Sequence, residues 1–299
     1  MSNYVALLNW KVEDDWNNQL LRLFLKEKCH ISKRALADIK FNDGLILVNN
    51  QEVTVRTTLR TGDHVQIGLP NEQISTTLVP EFVPLDIGYE DDHLLVVNKT
   101  AGMPTIPSRE HPTGSLANAI IGYYSMNHHP ATFHAVNRLD KDTSGLLIIA
   151  KHRLAHDRLS KLQQSGKVNR YYTAVVKGEL PTNTGTIDAP IGRDPESIIK
   201  RMVTDSGKRA ITHYSVVNQG NNNKVVEIKL ETGRTHQIRV HFSYLGFPLL
   251  GDDLYGGNTE EIQRQALHCH KVEFMHPFTD ELINISQGVP EDMRKLVVN

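Results

Sequence analysis

The chain has 299 residues, 39% hydrophobic and 22% charged, with a formal net charge of −1, a balance that fits a soluble globular protein of one large domain or two unequal ones. Its longest wholly apolar runs, such as LLIIA at 146–150, fall far short of the roughly 20 residues a membrane helix needs. The N-terminus MSNYVALLNWKVEDDW lacks the signal-peptide order of charge, apolar block and small-residue site, and Cys29 and Cys269 lie too far apart in sequence to suggest a disulfide framework. A cytoplasmic protein with no membrane partner is therefore expected.

Near-neutrality does not exclude a polyanionic partner, because the charge is unevenly spread. Residues 16–70 carry eight Lys/Arg against five acids, and 136–177 carry nine against Asp140, Asp142 and Asp157, while 81–92 is acidic. Taken in order, Trp16, Leu20, Leu23 and Phe24 recur at helical spacing over 16–28, and Ser32 reads as the N-cap of a second helix running to about Phe41. Asn42-Asp43-Gly44 ends it. LILV, EVTV and HVQI, separated by turns at Asn49-Asn50 and Thr61-Gly62-Asp63, read as three short strands. The unit 16–69 is thus predicted as a compact ααβββ module whose second helix opens with Lys33 and Arg34, where helix amides also favour phosphate. LRLFL, ISKRAL, IKFNDGLILVNN and TGDHVQI resemble the RNA-binding domain shared with a small-subunit ribosomal protein. That resemblance implies RNA contact through Lys33 and Arg34.

Residues 70–85, with three prolines and a Ser/Thr cluster, read as a linker. The predicted division is a small domain over 1–75 (core 16–69), a linker over 76–87 and a second domain over 88–299. LLVV (94–97) is a strand that ends at Lys99, an isolated lysine expected to be exposed. A helix runs from Ser115 to about Met126. VNRLDKDTSGLLIIAK (136–151) places Arg138, Asp140, Lys141 and Asp142 in a loop before a buried strand, with Thr143-Ser144-Gly145 marking a sharp backbone change. HRLAHDRLSKLQQSG is helical up to Gly166. RYYTAVVKG is a strand with Tyr172, Ala174 and Val176 on one face. Residues 185–217 alternate turns and strands, a helix spans Gln237 to Tyr244, and QALHCHKVEFMHP with DELINISQGV forms a closing hairpin. Helices interspersed among hairpins without a regular βαβ rhythm predict an α+β fold, with a mixed, largely antiparallel central sheet flanked by helices and loops.

NRLDKDTSG (137–145), NRYYTA (169–174) and ETGRTHQIRVH (231–241) carry unusual polar content beside core strands. A carboxylate in a partly buried pocket needs a cationic partner to remain ionised, and Arg234 and Arg239 are the candidates for Asp140. Tyr172, facing the same pocket, could stack on a planar base. These segments resemble the RluA-type pseudouridine synthases from about Tyr89 to Val289. The family's HRLD-x-x-TSG appears as NRLDKDTSG, and TGRTHQIRVH matches without departure. YEDDHLLVVNK, GRDP, GKRAITHY and LHCHKVEFMHP add to the likeness.

The resemblance implies isomerisation of specific uridines in ribosomal or transfer RNA to pseudouridine, by a monomer needing no cofactor or metal. It implies Asp140 as the catalytic aspartate, Tyr172 packed on the base and available for the C5 proton, and Arg239 as the partner of Asp140. It makes Arg138 the arginine that fills the space left by a flipped nucleotide, with Asn137 and Arg234 also on the RNA side. Two positions depart from the family: Asn137 where histidine is commonest, and Thr100 where proline usually follows the lysine. Asparagine keeps hydrogen-bonding capacity without a titrating ring. Three other readings of the same residues exist: a metal site at His268, His270 and His276, a glycosidase pair of Asp140 with Asp142, and a non-catalytic RNA-binding or ribosome assembly factor.

Overall fold

A computed structural model describes residues 4–109, 112–219 and 223–296. In chain order the elements are β1 (Ala6–Lys11), α1 (Leu21–Glu27), α2 (Lys33–Phe41), β2 (Leu45–Val48), β3 (Gln51–Glu52), β4 (His64–Leu69), β5 (Ile87–Glu90), β6 (Leu94–Lys99), α3 (Leu116–Met126), β7 (His134–Ala135), β8 (Ser144–Ala150), α4 (Arg153–Gln164), β9 (Val168–Lys177), β10 (Thr184–Asp188), β11 (Ile191–Arg193), β12 (Arg201–Val203), β13 (Ile211–Gln219), β14 (Asn223–Leu230), α5 (Gln237–Tyr244), β15 (Leu267–Met275), β16 (Leu282–Ser286) and α6 (Glu291–Arg294). Among the described residues the strands form two main sheets and a separate β11-β12 pair. The first has the order β1-β4-β2-β3, and the second runs β10-β13-β14-β9-β15-β8-β6-β5, with β16 joined to β15 and β7 to β8. The large sheet is mixed and mainly antiparallel, with β15 and β8 pairing in parallel. No helix among the described residues is long and apolar enough to cross a membrane.

The small sheet departs from the sequence reading in three places. β1 was not expected, because Leu7 is apolar yet half exposed, which hides the alternation that buries Ala6 and Leu8. EVTV is strand only at its start. Past Glu52 the chain leaves the sheet, and the carbonyls of Val55 and Thr57 accept from the amides of Arg22 (2.9 Å) and Leu21 (2.8 Å). They thereby satisfy the free N–H groups that open α1, which has no side-chain cap. Trp16 is therefore outside the helix, in a short helical turn, with its ring edge-on to Phe24 at 5.4 Å. Ser32 does cap α2, its hydroxyl accepting from Ala35 N at 3.2 Å.

Helix α4 joins the two sheets' surroundings. Arg158 donates to the carbonyls of Cys29 and Pro277 while lying 4.1 Å over the Phe278 ring, and Arg153 meets Asp38 at 3.2 Å. Glu72 accepts from Arg153 N at 2.7 Å and from His134 at 2.6 Å. The Pro-rich segment is tied down as well: Asn118 of α3 donates to the Val79 carbonyl at 2.7 Å and accepts at its own carbonyl from Glu81 N at 3.0 Å.

Within the large sheet, β8 is buried along its whole length, as its SGLLIIA sequence requires. Its start is set by Gly145, at φ +116°, where an added Cβ would come 2.3 Å from the Cys269 carbonyl oxygen and 2.4 Å from its nitrogen. Only glycine allows that backbone contact together with that φ, and it is at this point that β8 meets β15 in parallel, Ser144 opposite His268 and Gly145 opposite Cys269. Gly145→Ala is expected to destabilise the protein by about 3 kcal/mol or more, a backbone clash that no rotamer relieves. Urea unfolding measures it, and an unchanged midpoint would contradict this account of the strand junction.

Candidate active site

The loop from Val136 to Thr143 is held from four sides. Asn137 is buried, and its Oδ1 accepts from Ile148 N of β8 at 3.1 Å. Thr105 clamps Leu139, donating to its carbonyl at 2.7 Å and accepting from its amide at 3.3 Å. Thr143 accepts from Gln265 at 3.1 Å, and the Ser144 hydroxyl lies 2.9 Å from His268 Nδ1. The TSG residues are thus the hydroxyl anchors and the glycine contact that lock the loop onto β15.

Lys99 is the fourth support, and it is not the exposed lysine expected from sequence. It is only 1% exposed, and its ammonium donates to the carbonyls of Thr100 (2.9 Å), Met103 (2.7 Å) and Lys141 (3.0 Å). Burial pulls it down to about 8, against the opposing fields of Asp142 and Asp140. Three converging carbonyls give the buried ammonium all the acceptors it can use. It bridges the 100–103 turn to the residue after Asp140.

Asp140 emerges from this loop into a cavity of about 500 Å³ that Arg138, Tyr172, Arg234, His236 and Arg239 also line. The opposite wall is the TGRTHQ turn at the start of α5. Gln237 organises it, accepting from Thr232 Oγ1 at 2.8 Å and Arg234 N at 2.9 Å, and donating to the Ile211 carbonyl at 2.9 Å. From α5, Arg239 places Nη1 3.2 Å from Asp140 Oδ2. Its Nε and Nη2 donate to the two oxygens of Asp252 at 2.8 and 2.7 Å, and its guanidinium lies 5.1 Å from the Tyr255 ring centroid. Asp252 is fully buried. The hydrogen bonds and charges of these two aspartates outweigh burial and raise the Arg239 pKa above its ordinary value, so it stays cationic.

Of the two arginines considered for Asp140, the structure brings up Arg239 and not Arg234, which is exposed and donates instead to the Arg209 carbonyl at 2.9 Å. His236 lies 3.9 Å from Asp140 Oδ2, its other ring nitrogen 2.9 Å from the Tyr255 hydroxyl; burial lowers its pKa despite the carboxylate. Tyr172 is buried on the cavity wall, and burial pushes its phenol well above its ordinary range. Arg138 is exposed at the rim, whereas Asn137 lies inside, so its amide serves the β8 backbone rather than an outer surface.

Asp252, Lys99, Tyr255 and Thr105 were not identified from the sequence. Asp252 sits in a turn, LLGDD, with no periodic signal, and its carboxylate is paired by Arg239, a residue that the sequence does not link to it. The alternatives lose their geometry. Among the described residues no group of three or more His, Cys, Asp or Glu is arranged to hold a metal, and His268, His270 and His276 are engaged separately by Ser144, Thr173 and Asp91. Asp142 does not line the cavity that holds Asp140, so the two carboxylates do not face one substrate.

The solved human RNA pseudouridylate synthase domain containing 1 has this fold, with a TM-score of 0.58 and 26% identity over 70% of this chain and 84% of that one. The family model described as RNA pseudouridylate synthase matches residues 93–244. Among relatives, a Bacillus subtilis protein described as uncharacterized RNA pseudouridine synthase YjbO is 53% identical over 89% of this chain and 94% of its own length. Ribosomal large subunit pseudouridine synthase D of Xanthomonas campestris is 39% identical over 87% of this chain and 81% of its own length. The chain belongs to the RNA pseudouridylate synthase family, enzymes that isomerise uridine in RNA.

Removing Arg239 leaves Asp252 buried without its cation. Arg239→Ala should cost about 3–5 kcal/mol of stability, and adding Asp252→Asn should restore part of it. Denaturant titration of the single and double variants reads both, and a single variant as stable as wild type would show that Asp252 has another partner.

Proposed function

We propose that this enzyme converts particular uridines in structured RNA to pseudouridine, with Asp140 as the catalytic carboxylate and with the target nucleotide flipped out of its helix. The contact that carries the reading is Arg239 to Asp140 at 3.2 Å, at the mouth of a cavity walled by Tyr172. It gives the carboxylate a fixed orientation and a counter-charge, and the pocket has room for one nucleotide.

C1′ and C5 cannot be reached while the base is stacked, and the unstacking energy is recovered in pocket contacts. Arg138, exposed two residues before Asp140, is positioned to fill the gap left in the stack. Because burial raises its pKa, Tyr172 meets the base as a neutral ring, which favours packing over removal of the C5 proton. Isomerisation redistributes atoms within one nucleotide with no net redox change or hydrolysis, so the reaction calls for neither metal nor cofactor. A monomer suffices, since the Asp140, Tyr172 and Arg239 set comes from one chain.

The substrate class we favour is large-subunit ribosomal RNA, because relatives from Xanthomonas campestris and Pseudomonas aeruginosa carry that subunit in their names. RNA from cells lacking the gene should lose pseudouridine at one or more positions, restored by wild type and not by Asp140→Ala. Pseudouridine mapping reads this directly, and restoration by Asp140→Ala would leave a non-catalytic RNA-binding role.

We further read residues 1–75 as an RNA-binding module joined through 76–87 to the catalytic part over 88–299. Lys33 and Arg34 open α2 and are exposed there, which suits contact with phosphates. The double variant Lys33→Glu/Arg34→Glu is expected to bind RNA more weakly, with a shallower salt dependence, and to keep the wild-type rate at saturating RNA. Salt-dependent binding titrations test this, and an unchanged slope would remove these two residues from the interface.

A further inference from the structure

The cavity wall holds a second cation with no assigned task. Arg170 stands two residues before Tyr172 on β9, on the same buried face and about 7 Å away along the strand. It lines the same cavity and is only 6% exposed. Its Nε is fully buried without a hydrogen-bond partner, and among the described residues no carboxylate forms an ion pair with it. The turn that carries Arg234 lies against it: a Cβ on Gly233 would approach Nη2 to 3.0 Å and Nη1 to 3.4 Å. Arg239, by comparison, is held between two carboxylates. A buried guanidinium without a counter-charge is costly for a free protein, and sites that keep such a group use it on a ligand.

What it meets follows from its depth. The exposed cations lining the cavity are Arg138, Lys141 and Arg234, whose charges suit the phosphates of an RNA backbone. Arg170 is below them, level with the tyrosine that walls the space for the base. We propose that Arg170 donates to a carbonyl oxygen of the flipped uracil and holds the negative charge that the base carries while it is detached. This rests on the reading of the cavity given above.

The chemistry supplies that charge by either route open to Asp140, addition to C1′ or removal of the 2′ proton. The N1–C1′ bond breaks with its electron pair going to the base, and the charge spreads over N1, O2 and O4. C5 then bonds to C1′ as the Asp140–C1′ bond breaks, or, in the other route, as Asp140 returns the proton to C2′; the C5 proton leaves and N1 takes up a proton, so that atoms and electrons balance. A planar fork of donors keeps hold of a ring that must turn between the two bonds, because one carbonyl oxygen can replace the other in front of it.

Full-length Arg170→Met and Arg170→Lys are compared with wild type and Asp140→Ala on total RNA from cells lacking the gene, under single-turnover conditions. RNA affinity and urea unfolding are measured in parallel. Arg170→Met should slow pseudouridine formation about 100-fold or more with RNA affinity unchanged. It should unfold at the same urea concentration as wild type or a higher one, since a buried unpaired charge has gone. Arg170→Lys should recover part of the rate. Wild-type turnover by Arg170→Met overturns the proposal, as does a rate loss explained by an equal loss of folded protein. A fully active Asp140→Ala sinks the reading of the cavity itself, whereas an inactive Asp140→Ala beside a wild-type-like Arg170→Met sinks only the assignment of Arg170.

Discussion

The site depends on one guanidinium held in a fixed plane. Arg239 uses two of its nitrogens on fully buried Asp252 and a third on Asp140. The buried pair sets the orientation, and the outer contact delivers it to the cavity. A lysine could neutralise the same charge but could not span two carboxylates with a rigid fork. Arg239 therefore couples the stability of the α5 region to the geometry of the carboxylate.

The loop bearing Asp140 is positioned by its backbone as much as by its side chains. Lys99 gathers the carbonyls of Thr100, Met103 and Lys141, Thr105 holds Leu139 by both backbone groups, and Gly145 allows β8 to lie against Cys269. Apart from the Thr100 and Met103 carbonyls, which lie beside Lys99 in the chain, these contacts join segments tens of residues apart. Buried polar groups fully engaged in this way specify one arrangement, because any displacement leaves a carbonyl or an ammonium without a partner. Thr100, which stands where the family commonly has proline, takes part through its carbonyl, a group that proline also possesses.

Much of the large sheet was legible. The apolar run LLIIA, the alternation around Tyr172 and the helix from Gln237 to Tyr244 all appear where the periodicity put them. The N-terminal unit was read less well. Strand β1 was hidden by exposed Leu7, and the helix assigned from Trp16 begins only at Leu21, where carbonyls from Val55 and Thr57 supply its first acceptors. Periodicity reports which face is buried and is silent where a helix is started by a distant strand.

The sequence by itself determined most elements of the large sheet and the polar segments beside its strands, because these are local properties of residue type and spacing, whereas the set of Asp140, Tyr172 and Arg239 came from the resemblance of those segments to a known family. Only the tertiary structure decided which arginine reaches Asp140, that Lys99 is buried rather than exposed, that Asn137 faces inward, and that Asp252 stands behind Arg239. Those outcomes depend on distances between segments far apart in the chain, and on whether a charge at a given depth finds a partner. Neither is encoded in the pattern of any single segment.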